Sequence, residues 1–171
     1  MANLVLSVVG DDRPGLVDAI SGVVESHGGN WERSQMARLG GKFAGIVLVS
    51  VADRDAETLR DALSALGADG VLRVSVDQTD VPPAPTGPRF VLHLVGTDRP
   101  GLLHSVSAAL AEVRASIEEL TSNTVDAPMS GGPLFQATAT VALPASVGIE
   151  TIRTKLEALA DRLMVDIDFE D

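Results

Sequence analysis

Leu4, Leu6 and Val8 alternate with Val5, Ser7 and Val9, a period of two that predicts a β-strand apolar on both faces and ending at Gly10. From Gly15 to about Ser26 the period lengthens, and Leu16, Ile20, Val23 and Val24 form one stripe of an amphipathic helix stopped by Gly28 and Gly29. Asn30 to Leu39 and Lys42 to Ala52 read as two strands joined by a hairpin turn at Gly40 and Gly41. Leu59, Leu63 and Leu66 mark a second helix, and a last strand alternates Leu72, Val74 and Val76 with Arg73, Ser75 and Asp77. The order β-α-β-β-α-β predicts an α+β, ferredoxin-like fold, an antiparallel sheet with two helices on one face. The single apolar stripe of the last strand fits one covered face. The central strands differ: Val47, Val49 and Val51 are opposed by Ile46 and Leu48, so their second face is also expected to find a partner, in the other half of the chain or in another chain.

The pattern then runs a second time. Val9-Gly10-Asp11-Asp12-Arg13-Pro14-Gly15-Leu16-Val17 returns as Val95-Gly96-Thr97-Asp98-Arg99-Pro100-Gly101-Leu102-Leu103, changed only at Asp11/Thr97 and Val17/Leu103. Leu102, Val106, Ala109, Leu110 and Val113 repeat the first helical stripe; Ile152, Leu156 and Leu159 repeat the second. Val165, Ile167 and Phe169, set against Asp166, Asp168 and Glu170, repeat the last strand. Phe43 corresponds to Phe135, and Glu57 to Arg60 correspond to Glu150 to Arg153, so the spacing between copies widens and locates an insertion around Asp126 to Pro133. Four prolines between Thr79 and Pro88 predict a short semi-rigid spacer. The expected organisation is a first domain over 1–79, a linker over 80–88 and a second domain over 89–171.

Composition narrows the chemistry. Hydrophobic residues make up 45% and aromatic ones only 3%, so each core must be built from Val, Leu, Ile and Ala. There is no cysteine, which removes disulfides, thiolate zinc sites and thiol nucleophiles and fits a reducing compartment. No targeting signal and no apolar run long enough for a membrane span is read, and a cytoplasmic location without membrane contact is expected. The net charge is −11, with seven basic against twelve acidic residues in 1–86 and six against twelve in 87–171. Neither half can neutralise a phosphate backbone, so direct nucleic-acid binding is not expected.

The doubled strand-to-helix junction carries the strongest chemical signal: Gly10-Asp11-Asp12-Arg13-Pro14-Gly15 and Gly96-Thr97-Asp98-Arg99-Pro100-Gly101. The first amides of a helix lack intrahelical partners and sit at the positive end of its dipole, which suits a carboxylate or phosphate. A tight turn with Asp12 or Asp98 capping the helix would explain one copy. Rebuilding the whole hexapeptide, with an arginine that a turn does not require, favours a ligand. Leu16-Val17 stands where a phosphate loop needs Lys-Ser/Thr, and no G-x-G-x-x-G follows either strand. His27, His93 and His104 have no metal-ligand spacing, and no G-x-S-x-G elbow occurs, so neither a metal centre, nor a cofactor, nor a catalytic residue is expected.

The D-R-P-G-L turn, the H-G-G-N entry to the second strand and the run Ser34 to Ala44 (SQMARLGGKFA) resemble ACT-domain proteins, and more narrowly the tandem-ACT glycine cleavage system transcriptional repressors. The likeness covers nearly the whole chain. It implies an amino-acid sensor whose effector binds where two such domains meet, at the first strand-helix turn and the start of the second strand. On this chain those positions are Gly10 to Gly15 with Asn30, and Gly96 to Gly101 with Ser116. Ser116 in place of Asn30 and Thr97 in place of Asp11 make the two sites unequal. The resemblance further implies a regulator of glycine cleavage that senses a small amino acid, glycine by family likeness, and acts through a protein partner such as a DNA-bound activator. A homodimer is a further expectation, and a ligand-independent protein-interaction module is the alternative reading. The amino-terminal sequence of formyltetrahydrofolate deformylases is similar too, but their catalytic domain has no counterpart here.

Overall fold

A computed structural model describes residues 1–80, 86–127, 129 and 131–170. The first half runs β1 (Ala2–Asp11), α1 (Leu16–Ser26), β2 (Asn30–Leu39), β3 (Lys42–Val51), a 3-10 turn (Asp53–Asp55), α2 (Ala56–Ala65) and β4 (Leu72–Thr79). The second runs β5 (Arg89–Thr97), α3 (Leu102–Glu112), β6 (Ser116–Ala127), β7 (Gly132–Ala142), α4 (Ile149–Leu163) and β8 (Asp166–Glu170). Two compact units result, Met1–Pro82 and Pro83–Asp171. Residues 81–85 of the proline-rich spacer lie outside the described residues.

Each unit holds one antiparallel four-stranded sheet, ordered β2-β3-β1-β4 in the first and β6-β7-β5-β8 in the second. This is the ferredoxin-like arrangement that the order of elements predicts. Register explains the core. β1 pairs with β3 from Ala2↔Val51 to Asp11↔Lys42, which sets Leu4 and Leu6 beside Val49 and Val47 on one face. All four are buried, against Leu16, Ile20 and Val24 of α1 and Leu59 and Leu63 of α2. In the second unit Leu92 and Leu94 meet Val106, Leu110, Ile152 and Leu156 in the same way. Each such side chain contributes about 1.5–3 kcal/mol of hydrophobic burial, and no polar side chain is buried among the described residues, so the cores are held by aliphatic packing alone.

The two units differ in their hairpins. β6 and β7 pair from Ser116↔Ala142 to Ala127↔Gly132, a longer ladder than that between β2 and β3, so the inserted residues extend the hairpin instead of forming a separate loop. Both hairpins carry a bulge at the same place, between Trp31 and Arg33 and between Ile117 and Glu119. Each bulged residue is a glutamate with fixed partners. Glu32 accepts hydrogen bonds from Ser50 Oγ at 2.6 Å and Asn30 Nδ2 at 2.7 Å, which hold its carboxyl below the usual range, Ser50 having the larger effect. Glu118 accepts two bonds from Arg89, at 2.9 and 3.0 Å, and they raise the guanidinium pKa. No helix among the described residues is long and apolar enough to cross a membrane.

Leu63 is 0% exposed whereas Val17 is 44% exposed. Leu63→Ala is therefore expected to cost about 2–5 kcal/mol in urea unfolding, and Val17→Ala less than about 0.5 kcal/mol. Equal losses at the two positions would contradict this assignment of the core.

Candidate functional site

Each strand-to-helix corner is shaped by its last glycine. Gly15 and Gly101 are the N-cap residues, with φ of 88° and 85°, the left-handed region that glycine enters without steric cost. A Cβ at either position would meet nothing within 4 Å, so backbone conformation alone demands glycine and the space above the corner is open. Neither helix start has a side-chain cap. Asp12 and Asp98 thus do not cap the helices, which removes the purely structural explanation offered for them. The first intrahelical bonds run from Ala19 N–H to Gly15 O at 3.0 Å and from Ser105 N–H to Gly101 O at 2.9 Å. The amides of Leu16, Val17 and Asp18 therefore face outward at the positive end of α1, and those of Leu102, Leu103 and His104 do so at α3.

The other glycine of each hexapeptide has a different duty. A Cβ on Gly10 would lie 2.6 Å from the Val71 carbonyl, and one on Gly96 would overlap the Val165 side chain. Both are buried and let the end of the first strand close against the approach to the last. Asp11 to Gly15 and Thr97 to Gly101 are exposed. Pro14 and Pro100 precede the cap and shape the turn, one step earlier than the first helical position.

Around this shared corner the hairpins set different charges. Asp12 N–H donates to Gly41 O and Asp98 N–H to Pro133 O, both at 3.0 Å, so these two amides are committed to the neighbouring hairpin. In the first unit that hairpin also brings cations. Lys42 pairs with Asp11, and Arg38 Nη1 lies 3.4 Å from Asp12 Oδ2. The hydrogen bond from Lys42, and secondarily its charge, hold the Asp11 carboxyl below the usual carboxylate range. By register, Thr124 and Leu134 occupy the places of Arg38 and Lys42 in the second unit. Its Arg99 is committed as well, donating to Leu163 O at 2.7 Å beyond the end of α4. Arg13, its counterpart, has no ion-pair or hydrogen-bond partner among the described residues.

The remaining nominated residues lie elsewhere. Asn30 pairs with Ser50 at one end of the sheet, whereas Asp11 pairs with Lys42 at the other. The distance from the Ser50 row to the Lys42 row is about 26 Å at about 3.3 Å per residue. Ser116, opposite Ala142, is separated from Thr97, opposite Leu134, by the same span. Gly10 to Gly15 thus form one cluster and Gly96 to Gly101 another, while Asn30 and Ser116 join neither within their own unit. Arg38 and Lys42 were not nominated from sequence; the signal for them was a basic residue close to each side of a Gly-Gly hairpin turn, opposite an acidic strand end. An apolar cavity beneath α3, lined by Leu94, Leu103, Val106, Ile117 and Leu120 among others, includes no corner residue. No group of three or more His, Cys, Asp or Glu among the described residues could hold a metal ion.

Two βαββαβ units, each opening on a glycine-capped corner, define the class. The chain matches the ACT domain family over residues 2–77 and again over 89–170, and it belongs to that family as a tandem ACT-domain protein. Over 161 residues it is 31% identical to the glycine cleavage system transcriptional repressor of Escherichia coli K12, an alignment covering 94% of this chain and 85% of that one. The crystal structure of an unknown protein from Galdieria sulphuraria is 34% identical and superposes with a TM-score of 0.86, covering 99% of this chain and 97% of the other. A further crystal structure, 21% identical with a TM-score of 0.76 and covering 99% and 96% of the two chains, shares the fold.

Because its folded pKa is depressed, the Asp11–Lys42 pair stabilises the fold at pH values above the unfolded carboxylate pKa, and this contribution is lost as pH falls through the folded one. Carboxyl NMR titration is expected to find Asp11 below about 3.9 and to find it raised in Lys42→Ala. An Asp11 titration that ignores the substitution would show that the pair does not persist in solution.

Proposed function

We propose that this protein is a non-catalytic regulator that senses a small amino acid at the Gly10–Gly15 corner and transmits binding to a protein partner in transcriptional control, with glycine as the first candidate ligand. The observation that carries the reading is the uncapped start of α1 flanked by three cations. A zwitterion fits that arrangement end to end. Its carboxylate meets the amides of Leu16 to Asp18 and the uncommitted guanidinium of Arg13. Its ammonium meets the carboxylate of Asp12, which Arg38 approaches only to 3.4 Å.

The second corner is the weaker candidate. It has Thr97 for Asp11, its Arg99 is engaged by Leu163 O, and the positions of Arg38 and Lys42 hold Thr124 and Leu134. Its role in this account is mainly structural. The named relative from Escherichia coli is a transcriptional repressor of glycine cleavage, and that supports transcription as the setting. A net charge of −11 argues against direct contact with DNA, so the effect passes through a protein.

Glycine has so few atoms that even the best efficiency of about 1.5 kcal/mol per non-hydrogen atom limits binding to about 7.5 kcal/mol, a Kd of a few micromolar at the tightest. Calorimetry should therefore extend into the millimolar range. Saturable binding of at least one small amino acid is expected, weakened at least tenfold by Arg13→Ala and little changed by Arg99→Ala. No saturable heat from any amino acid would overturn the sensing role. The exposed edge strand β2 supports the alternative, a ligand-independent interaction module; partner capture of equal strength with and without amino acids would favour it.

A further inference from the structure

The face of the first sheet turned away from α1 and α2 has an apolar centre and a charged rim. Register puts Val5, Ser7 and Val9 of β1 there, beside Leu48, Ile46 and Ala44 of β3. Val9 is 42% exposed and Ile46 52% exposed, so no part of the chain covers them. Across β1 from Val5, Ser7 and Val9 stand Asp77, Ser75 and Arg73 of β4. Across β3 from Leu48, Ile46 and Ala44 stand Arg33, Gln35 and Ala37 of β2. Aliphatic side chains at the middle and charges at the edge are the anatomy of a specific protein interface.

The equivalent face of the second sheet is built otherwise. Its centre is polar, with His93 opposite Thr138 and Val95 opposite Gln136. Its flanks carry Asp166, Asp168 and Glu170 on β8 and Glu119 on β6. Two such faces brought together would oppose carboxylates to carboxylates.

We propose that the outer face of the first sheet pairs with the same face of a second copy of this chain, giving a two-fold sheet-on-sheet dimer that needs no amino acid to form. Charge complementarity selects this occupant. With the two-fold axis parallel to the strands, between β1 and β3, Asp77 lies over Arg33 of the second copy and Val5 over its Leu48. With the axis perpendicular to the strands, through the row of Ser7 and Ile46, Asp77 lies over Arg73 of the second copy and Ile46 over its own image. In both arrangements each Asp77 meets an arginine and each apolar centre meets another, as an isologous contact requires. Four strands about 4.8 Å apart and about eight residues long at about 3.3 Å offer roughly 500 Å². Pairing then buries roughly 1,000 Å² in total, the lower end for a specific interface, which suits a micromolar dimer.

Sedimentation of the full chain from about one to several hundred micromolar tests the proposal. A monomer–dimer equilibrium is expected, shifted at least tenfold toward monomer by Ile46→Asp and also by Asp77→Arg, an exposed charge change that spares the core. Restoration of the Asp77→Arg dimer by Arg33→Asp selects the parallel axis, and restoration by Arg73→Asp selects the perpendicular one. A wild-type chain that stays monomeric throughout the range overturns the proposal, and so does a dimer that is indifferent to Asp77→Arg. Circular dichroism accompanies each variant, and Asp77→Arg decides the outcome if Ile46→Asp does not fold.

Discussion

The antiparallel register of β1 on β3, fixed from Ala2↔Val51 to Asp11↔Lys42, is the constraint from which the rest of the first unit follows. A slip of one residue would turn Leu4, Leu6 and Val8 out of the core and bring Val5 and Val9 into it. The same register carries the Gly40–Gly41 hairpin to the end of β1, where Gly41 O accepts from Asp12 N–H and Lys42 reaches Asp11. The corner is therefore a consequence of strand pairing as much as of its own sequence. β5 on β7 reproduces the ladder, from Arg89↔Ala142 to Thr97↔Leu134.

Much of this was legible in the order of residues. Alternation in β1 and β4, the 3.6-residue stripes of α1 and α2, and the Gly-Gly hairpin each obey a local rule, and duplication let every element be read twice. The insertion was legible as a change of spacing between copies, though not that it would lengthen a hairpin. What escaped were properties that register alone confers. Asn30 looked close to the corner because Gly28 and Gly29 follow α1 directly, yet β2 begins at the far end of the sheet and only returns to Lys42 at its close. Gly10 looked like a site for ligand approach; its neighbour is the Val71 carbonyl. The acidic residues before each helix looked like caps, but a left-handed glycine in each turn took the N-cap position itself.

Duplication followed by divergence gives the two units different physical characters. The first keeps an open helix start ringed by Arg13, Arg38 and Lys42, together with an apolar outer face. The second keeps the same backbone corner, spends its arginine on Leu163 O and presents an acidic outer face. In the proposed account one unit recognises the metabolite, and the other contributes stability and a charged surface. A ligand can shift partner affinity only by the difference in its own affinity for the two states, so the coupling available to a small amino acid is bounded by its few contacts at the corner.

Backbone amide NMR during a glycine titration tests the central claim most directly, because it reads the very groups assigned to the carboxylate. Saturable shifts at Leu16, Val17 and Asp18, larger than those at Leu102, Leu103 and His104, are the outcome this account requires. Shifts confined to other parts of the chain, or none at tens of millimolar glycine or any other small amino acid, would contradict it.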